Sequence, residues 1–110
     1  EGITVEIAQI LVDIFKKEYG IGLEIKKPND MMYHQKKIGG ILTESKVHLE
    51  TVKFLVIGIG MNTNKTNFTS DIEKIATSIQ KEFGIEVDRN KVIAEFCNQF
   101  EAVMERRTKR

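Results

Sequence analysis

An α+β domain of about three strands and three helices is what the 110 residues predict. Apolar residues recur at helical spacing in the first twenty residues and in the last forty. Between them lie short apolar runs, one almost continuous from Val52 to Met61, that suit strands rather than helices. An apolar content of 41% is enough for one core at this length, so residues 1–110 read as a single unit.

From Thr4 onward Val5, Ala8, Leu11, Val12 and Phe15 follow a helical period, and Ile7, Ile10 and Ile14 widen the stripe. The spacing predicts a helix over 5–19, buried against a sheet, with Thr4 as N-cap and Gly20 as left-handed terminator. LEIKK is then a short strand stopped by Pro28, which removes a backbone donor and biases Lys27 toward extended geometry. Pro28, Asn29 and Asp30 form a turn, and MMYH a brief strand. Residues 37–47 and 52–61 suit adjacent strands joined by a turn around His48 to Thr51. Ser70 with Glu73 fits a capping box for a helix carrying Ile72, Ile75, Ala76, Ile79 and Phe83, closed by Gly84. Asp88 caps a last helix with Val92, Phe96, Phe100 and Val103 on one face. Both later helices are expected to cover the sheet.

Composition removes several function classes. Seventeen Lys and Arg stand against 16 acids, and a net charge of +1 lacks the basic excess of a nucleic-acid binder. The basic tail ERRTKR reads as a frayed helix end or the start of a linker. Cys97, the single cysteine, has no partner for an internal disulfide and falls in the apolar pattern of the last helix, which fits a reduced, cytoplasmic protein. No apolar run reaches membrane-span length, and the N-terminus lacks signal-peptide organisation, so the N-x-T triplets at Asn64 and Asn67 are chance matches. The chain begins with Glu1 in mid-pattern, as a piece of a longer protein would. His34 and His48 lack ligand spacing for zinc and belong on the surface, whereas Met31 and Met32 fit the core.

Chemistry concentrates in KKPND at 26–30, KKIGGIL at 36–42 and IGIGMNTN at 57–64. Each polar or glycine-rich segment sits at the mouth of an apolar stretch, as if three strands built one site. Gly39, Gly40, Gly58 and Gly60 weaken a strand and mark close approach of a ligand or of another backbone, a bulge being the plain reading at Gly40. Gly58 and Gly60 do not make a dinucleotide-binding turn, because Thr63 stands where a third glycine belongs. Taken alone, Asn29 and Asp30 read as an ordinary turn, and Asn62 and Asn64 as strand-end caps.

Together the segments resemble the biotin protein ligases, whose catalytic domain reads K-W-P-N-D, then K-x-x-G-I-L, then G-x-G-x-N. Lys26, Pro28, Asn29 and Asp30 match the first; Lys37, Gly40, Ile41 and Leu42 the second; Gly58, Gly60 and Asn62 the third. ATSIQKEFGIEVDRN is similar to that family's last catalytic-domain stretch. Lys27 replaces the usual Trp, and the arginine- and glycine-rich loop that closes over biotin is expected upstream of Glu1. The resemblance implies a mixed sheet with helices on one side, like the class II aminoacyl-tRNA synthetases, present here as the C-terminal part of a catalytic domain.

It also implies an ATP-dependent ligase that makes biotinyl-5′-adenylate and passes biotin to a lysine of a biotin carboxyl carrier protein, with a homodimer possible. In that reaction biotin's carboxylate must meet the α-phosphate of ATP, and a fixed cation offsets their repulsion. Lys37 is the candidate for that catalytic role and for biotin binding, with Gly40, Leu42, Gly58 and Gly60 also toward biotin. Asn29, Asp30 and Asn62 go toward the nucleotide, since an asparagine amide supplies the donor and acceptor an adenine edge needs. Asp30 is also the candidate for Mg²⁺, a hard ion that prefers carboxylate oxygen. The fragment alone is expected to be inactive. Weak binding of biotin or adenine without turnover, or a lipoate-ligase-like activity, are the alternatives.

Overall fold

In the computed structural model, which describes residues 2–108, four antiparallel strands form a meander in the order β1-β2-β3-β4. These are Glu24–Lys26, Asp30–Tyr33, Lys36–His48 and Thr51–Met61. Helix α1 spans Ile3–Tyr19, a 3₁₀ turn Ile72–Lys74, α2 Ile79–Phe83 and α3 Arg89–Thr108. One parallel pairing, an isolated bridge between Lys37 and Ala76, adds to the antiparallel ladder.

Helix α1 lies on one face of the sheet because its stripe of Ile7, Ala8, Ile10, Leu11, Ile14 and Phe15 is buried there with Met31, Ile38 and Ile41. A buried side chain of that size contributes about 1.5–3 kcal/mol by leaving water, so this contact dominates the core. Gly20 terminates α1 at φ 71°, the left-handed conformation that an L side chain adopts only at a cost. The N-cap differs from expectation. Gly2 occupies it without a side-chain bond, and Thr4 lies inside the helix, where its hydroxyl shares a 3.1 Å hydrogen bond with that of Thr43 on β3.

Helix α3 packs mainly on α1 rather than covering the sheet directly, giving a sheet, a helix and a second helix in layers. Val92 and Val103 are buried, and the Lys91–Glu18 and Arg107–Glu6 pairs, at 2.9 and 2.7 Å, tie the two helices together. The Arg107 pair means the basic tail is docked up to that point; Glu1, Lys109 and Arg110 lie outside the described residues. Asp88 caps α3 through a 3.2 Å bond from the Lys91 amide, as the sequence predicts. Cys97 is exposed, not part of the apolar face.

The largest departure is in residues 70–83, where the periodicity predicts one helix. Thr69, not Ser70, meets the start of the 3₁₀ turn, its carbonyl accepting from the Glu73 amide at 2.9 Å. The chain then straightens to pair with Lys37, leaving Ile75 62% exposed, and restarts as α2 with Ser78 as a true N-cap, accepting from the Lys81 amide at 3.0 Å. Long-range strand pairing has overridden local period. Gly84 ends α2 at φ 70°, as expected.

Candidate functional site

Pairing register decides which side chains share a face. Gly39 lies opposite Met61 and Ile41 opposite Ile59, pointing toward the helices, so Gly40 opposite Gly60 and Leu42 opposite Gly58 point the other way. Asp30 pairs with Gly40 and Met32 with Lys37 across a bulge, which brings β2 into the same face. Asp30, Lys37, Gly40, Leu42, Gly58 and Gly60, drawn from all three sequence segments, therefore stand together on the side of the sheet away from α1 and α3.

Lys37 is centred on this face. Its ammonium lies 3.3 Å from Asp30 Oδ1, with the two side chains 51% and 29% exposed. So accessible a pair contributes only about 0–1 kcal/mol to stability, which makes it a poor structural element and leaves both charges available to a ligand. Gly40 sits beneath it. A Cβ there would come within 3.2 Å of Lys37 Cε and 3.3 Å of Nζ, so even a methyl group would make the lysine end give by a few tenths of an ångström. A Cβ on Gly60 would meet nothing within 4 Å, and one on Gly58 only ordinary contacts with Leu42. Those two glycines are not required by the protein's own packing, and they leave flat backbone under open space.

An open cleft of about 320 Å³ runs over this floor, lined by Lys37, Gly39, Gly40, Gly60, Asn62 and Ala76. Asn29 borders it through the turn after β1, following the cis Lys27–Pro28 peptide, and its carbonyl accepts from the Ile41 amide at 2.9 Å. Asn62 follows the end of β4 at the rim. Its Nδ2 donates to the Thr77 carbonyl at 3.2 Å, while its Oδ1 has no hydrogen-bond partner among the described residues. Asn64 stands apart from the site: its side chain accepts from the Val87 amide at 2.8 Å and donates to the Val87 carbonyl at 3.2 Å, fastening the strand end to the linker before α3.

Of the two sequence readings of Gly39, approach of a ligand or of another backbone, the second holds, and Thr77 and Ser78 were not assigned at all. Gly39 belongs to the helix side, where a Cβ would lie 2.4 Å from Met61 Sδ and 2.7 Å from the Gly60 carbonyl, so its lack of side chain lets β3 and β4 close up. Thr77 and Ser78 are fully buried, with Thr77 Oγ1 donating to a Glu82 carboxylate oxygen and Ser78 Oγ to the Lys65 carbonyl. A Ser directly before an apolar helical turn is the only local signal for them. Among the described residues no group of three or more His, Cys, Asp or Glu is placed to hold a metal ion, and no helix is long and apolar enough to cross a membrane.

A meander of this kind with helices on one face is the fold of solved protein ligases, a fold like that of the class II aminoacyl-tRNA synthetases. Residues 3–62 match the Biotin/lipoate A/B protein ligase family, and the chain belongs to it. It is 36% identical over 101 residues to the Bifunctional ligase/repressor BirA of Bacillus subtilis strain 168, covering 90% of this chain and 31% of that protein. The chain thus spans about a third of the length of the curated relatives it matches. Its fold is similar to apo biotin protein ligase from Aquifex aeolicus, with a TM-score of 0.81 at 22% identity over 94% of this chain and 45% of that one. The Aquifex enzyme in complex with biotin and ATP gives 0.74 at 22% identity, over 90% and 40% of the two chains.

Proposed function

We propose that the whole protein is an ATP-dependent ligase that converts biotin to biotinyl-5′-adenylate and then transfers it to a lysine of a biotin carboxyl carrier protein. The observation that carries this reading is the convergence of Asp30, Lys37, Gly40, Leu42, Gly58 and Gly60 on one open face. Family membership and the biotin and ATP held by the Aquifex relative support it. In this reading residues 1–110 are the C-terminal portion of the catalytic domain and supply the floor of the site. The loop that closes over the adenylate comes from elsewhere in the protein.

Each residue has a physical task. The bare backbone at Gly40, Gly58 and Gly60 lets biotin's rings lie flat against the sheet, and Leu42 covers the apolar chain. Lys37 leaves Asp30 and bridges biotin's carboxylate and the α-phosphate, so that two anions approach within bonding distance. At about 4 Å and an effective dielectric near 20, such a charge contact is worth about 4 kcal/mol, or roughly several hundred- to a thousandfold in rate. Asn29 and the free Oδ1 of Asn62 face the adenine edge. Asp30 fits Mg²⁺ as a single-carboxylate ligand, the usual arrangement for an ion that takes its other ligands from phosphate and water. Bound there, the ion would neutralise phosphate charge.

The test is biotin-dependent ATP–pyrophosphate exchange by the full-length protein and by Lys37→Ala. A fall of roughly several hundredfold is expected. Normal exchange in the variant would remove Lys37 from its role, and exchange that answers to lipoate but not to biotin would move the whole protein to the other branch of the family.

A further inference from the structure

Resting on the reading of Lys37 as the reacting cation, we propose that Asn62 is a positioning residue for Lys37, acting through the Thr77 carbonyl and the bridging segment at 75–77. Lys37 lies beyond the reach of β4, whose last residue, Met61, pairs with Gly39. Its backbone is held on that side by residues 75–77: the Lys37 amide donates to the Ile75 carbonyl at 2.8 Å, and the Lys37 carbonyl accepts from the Thr77 amide at 3.0 Å. One edge of the Lys37 backbone, the other being paired with Met32, is therefore fixed by a segment that makes a single bridge to the sheet.

At one end of that segment Ile75 is 62% exposed and follows a 3₁₀ turn; at the other Thr77 is fully buried, its hydroxyl bonded to Glu82. Asn62 adds a direct hold on the Thr77 backbone. Its Nδ2 donates to the carbonyl of Thr77, the same residue whose amide grips Lys37. Its own amide donates to the Ile38 carbonyl at 2.8 Å, and its carbonyl accepts from Ile79 at 3.1 Å. Asn62 thus bonds to β3 on one side of Lys37 and to the clamping segment on the other. Misplacement of a reacting group by about 1 Å costs up to about a hundredfold in rate, so a bracket one residue from the lysine backbone has kinetic weight. The nucleotide role gives the side-chain Oδ1 to adenine; this one belongs to Nδ2.

Asn62→Asp in the full-length protein separates the two, because it keeps the acceptor oxygen and deletes the donor; if that variant does not fold, Asn62→Ser, uncharged and too short to reach, is read by Thr77 exchange and the Lys37→Ala double variant alone, since it also removes the acceptor. Three measurements are read. Exchange of the Thr77 amide is expected to accelerate by about tenfold, and kcat for adenylate formation to fall about three- to tenfold with KM for ATP unchanged. In a Lys37→Ala background the Asn62 substitution is expected to add nothing further in single-turnover rate. Unchanged Thr77 exchange, a raised ATP KM at constant kcat, or additive losses would each overturn the proposal. If Lys37→Ala alone forms adenylate normally, the reading of Lys37 fails and this one with it. A large loss in Lys37→Ala combined with additivity sinks only the role of Asn62.

Discussion

On the helix-covered face of the sheet Met31 and Ile41 are buried to within a few per cent, whereas on the opposite face Leu42, Phe54 and Val56 are about half or more exposed. Both faces carry glycine, for opposite reasons. Gly39 is glycine because Met61 and the Gly60 backbone leave no space for a Cβ, while Gly60 has nothing within 4 Å. One face is shaped by filling, as close-packed interiors require. The other keeps backbone and charge uncovered, a state that stability alone does not favour.

Matched substitutions test that contrast. The largest effect is expected from Phe15→Ala, which empties a fully buried site on α1 and is expected to cost about 3–5 kcal/mol, against less than about 0.5 kcal/mol for a surface-type truncation at Leu42→Ala. Urea denaturation measures both, and equal losses would mean the open face is covered in solution. Next comes the glycine pair. Gly39→Ala is expected to lose about 1–3 kcal/mol through overpacking, while Gly60→Ala keeps or slightly gains stability, since glycine within a strand is itself a weakening residue. Biotin affinity of the full-length protein is expected to fall in Gly60→Ala despite its intact fold; unimpaired binding would show that the open glycines do not face the ligand.

The smallest effect belongs to the surface pair between α1 and α3, away from both faces. The hydrogen bond from Lys91 lowers the Glu18 pKa against an opposing desolvation, and the nearby positive charges of Lys91 and Lys17 add smaller contributions in the same direction as the bond. The same bond, with the Glu18 charge, raises that of Lys91. A lowered carboxylate contributes stability that is complete above its ordinary pKa and lost as pH falls through the lowered value. A raised amine contributes stability complete below its ordinary pKa and lost as pH rises through the raised value. Glu18→Gln is expected to flatten both limbs of the stability–pH profile slightly, as thermal melts across pH would record.

Much of this architecture was legible because it rests on local signals. Gly20 and Gly84 stop helices at positive φ, Asp88 caps α3, and the long apolar run of β4 pairs with β3 across the turn at Leu49 and Glu50. The candidate site was legible only as a set of motifs, and alternation along β3 and β4 places Gly40, Leu42, Gly58 and Gly60 on one face. What escaped was long-range. Ile72, Ile75, Ala76, Ile79 and Phe83 keep helical spacing, yet the backbone of Lys37 competes for Ile75 and Thr77 and breaks the helix. The bond from Asn62 to Thr77 has no sequence signature, since neither residue type nor spacing announces it.

The bridge between Lys37 and Ala76 also bears on the order in which the molecule assembles. The β2–β3 and β3–β4 hairpins each close over two residues, His34 and Gln35 in one and Leu49 and Glu50 in the other, at little cost in chain entropy. The bridge joins positions about forty residues apart, a closure that is rewarded only after the hairpins and their helix are in place. The lysine is thereby expected to be seated by one of the last contacts to form, with partly folded chains holding the sheet but not the cleft. A ligand that takes the cleft as proposed would then stabilise the complete native state alone, and its occupancy would report full folding rather than the presence of the β-meander.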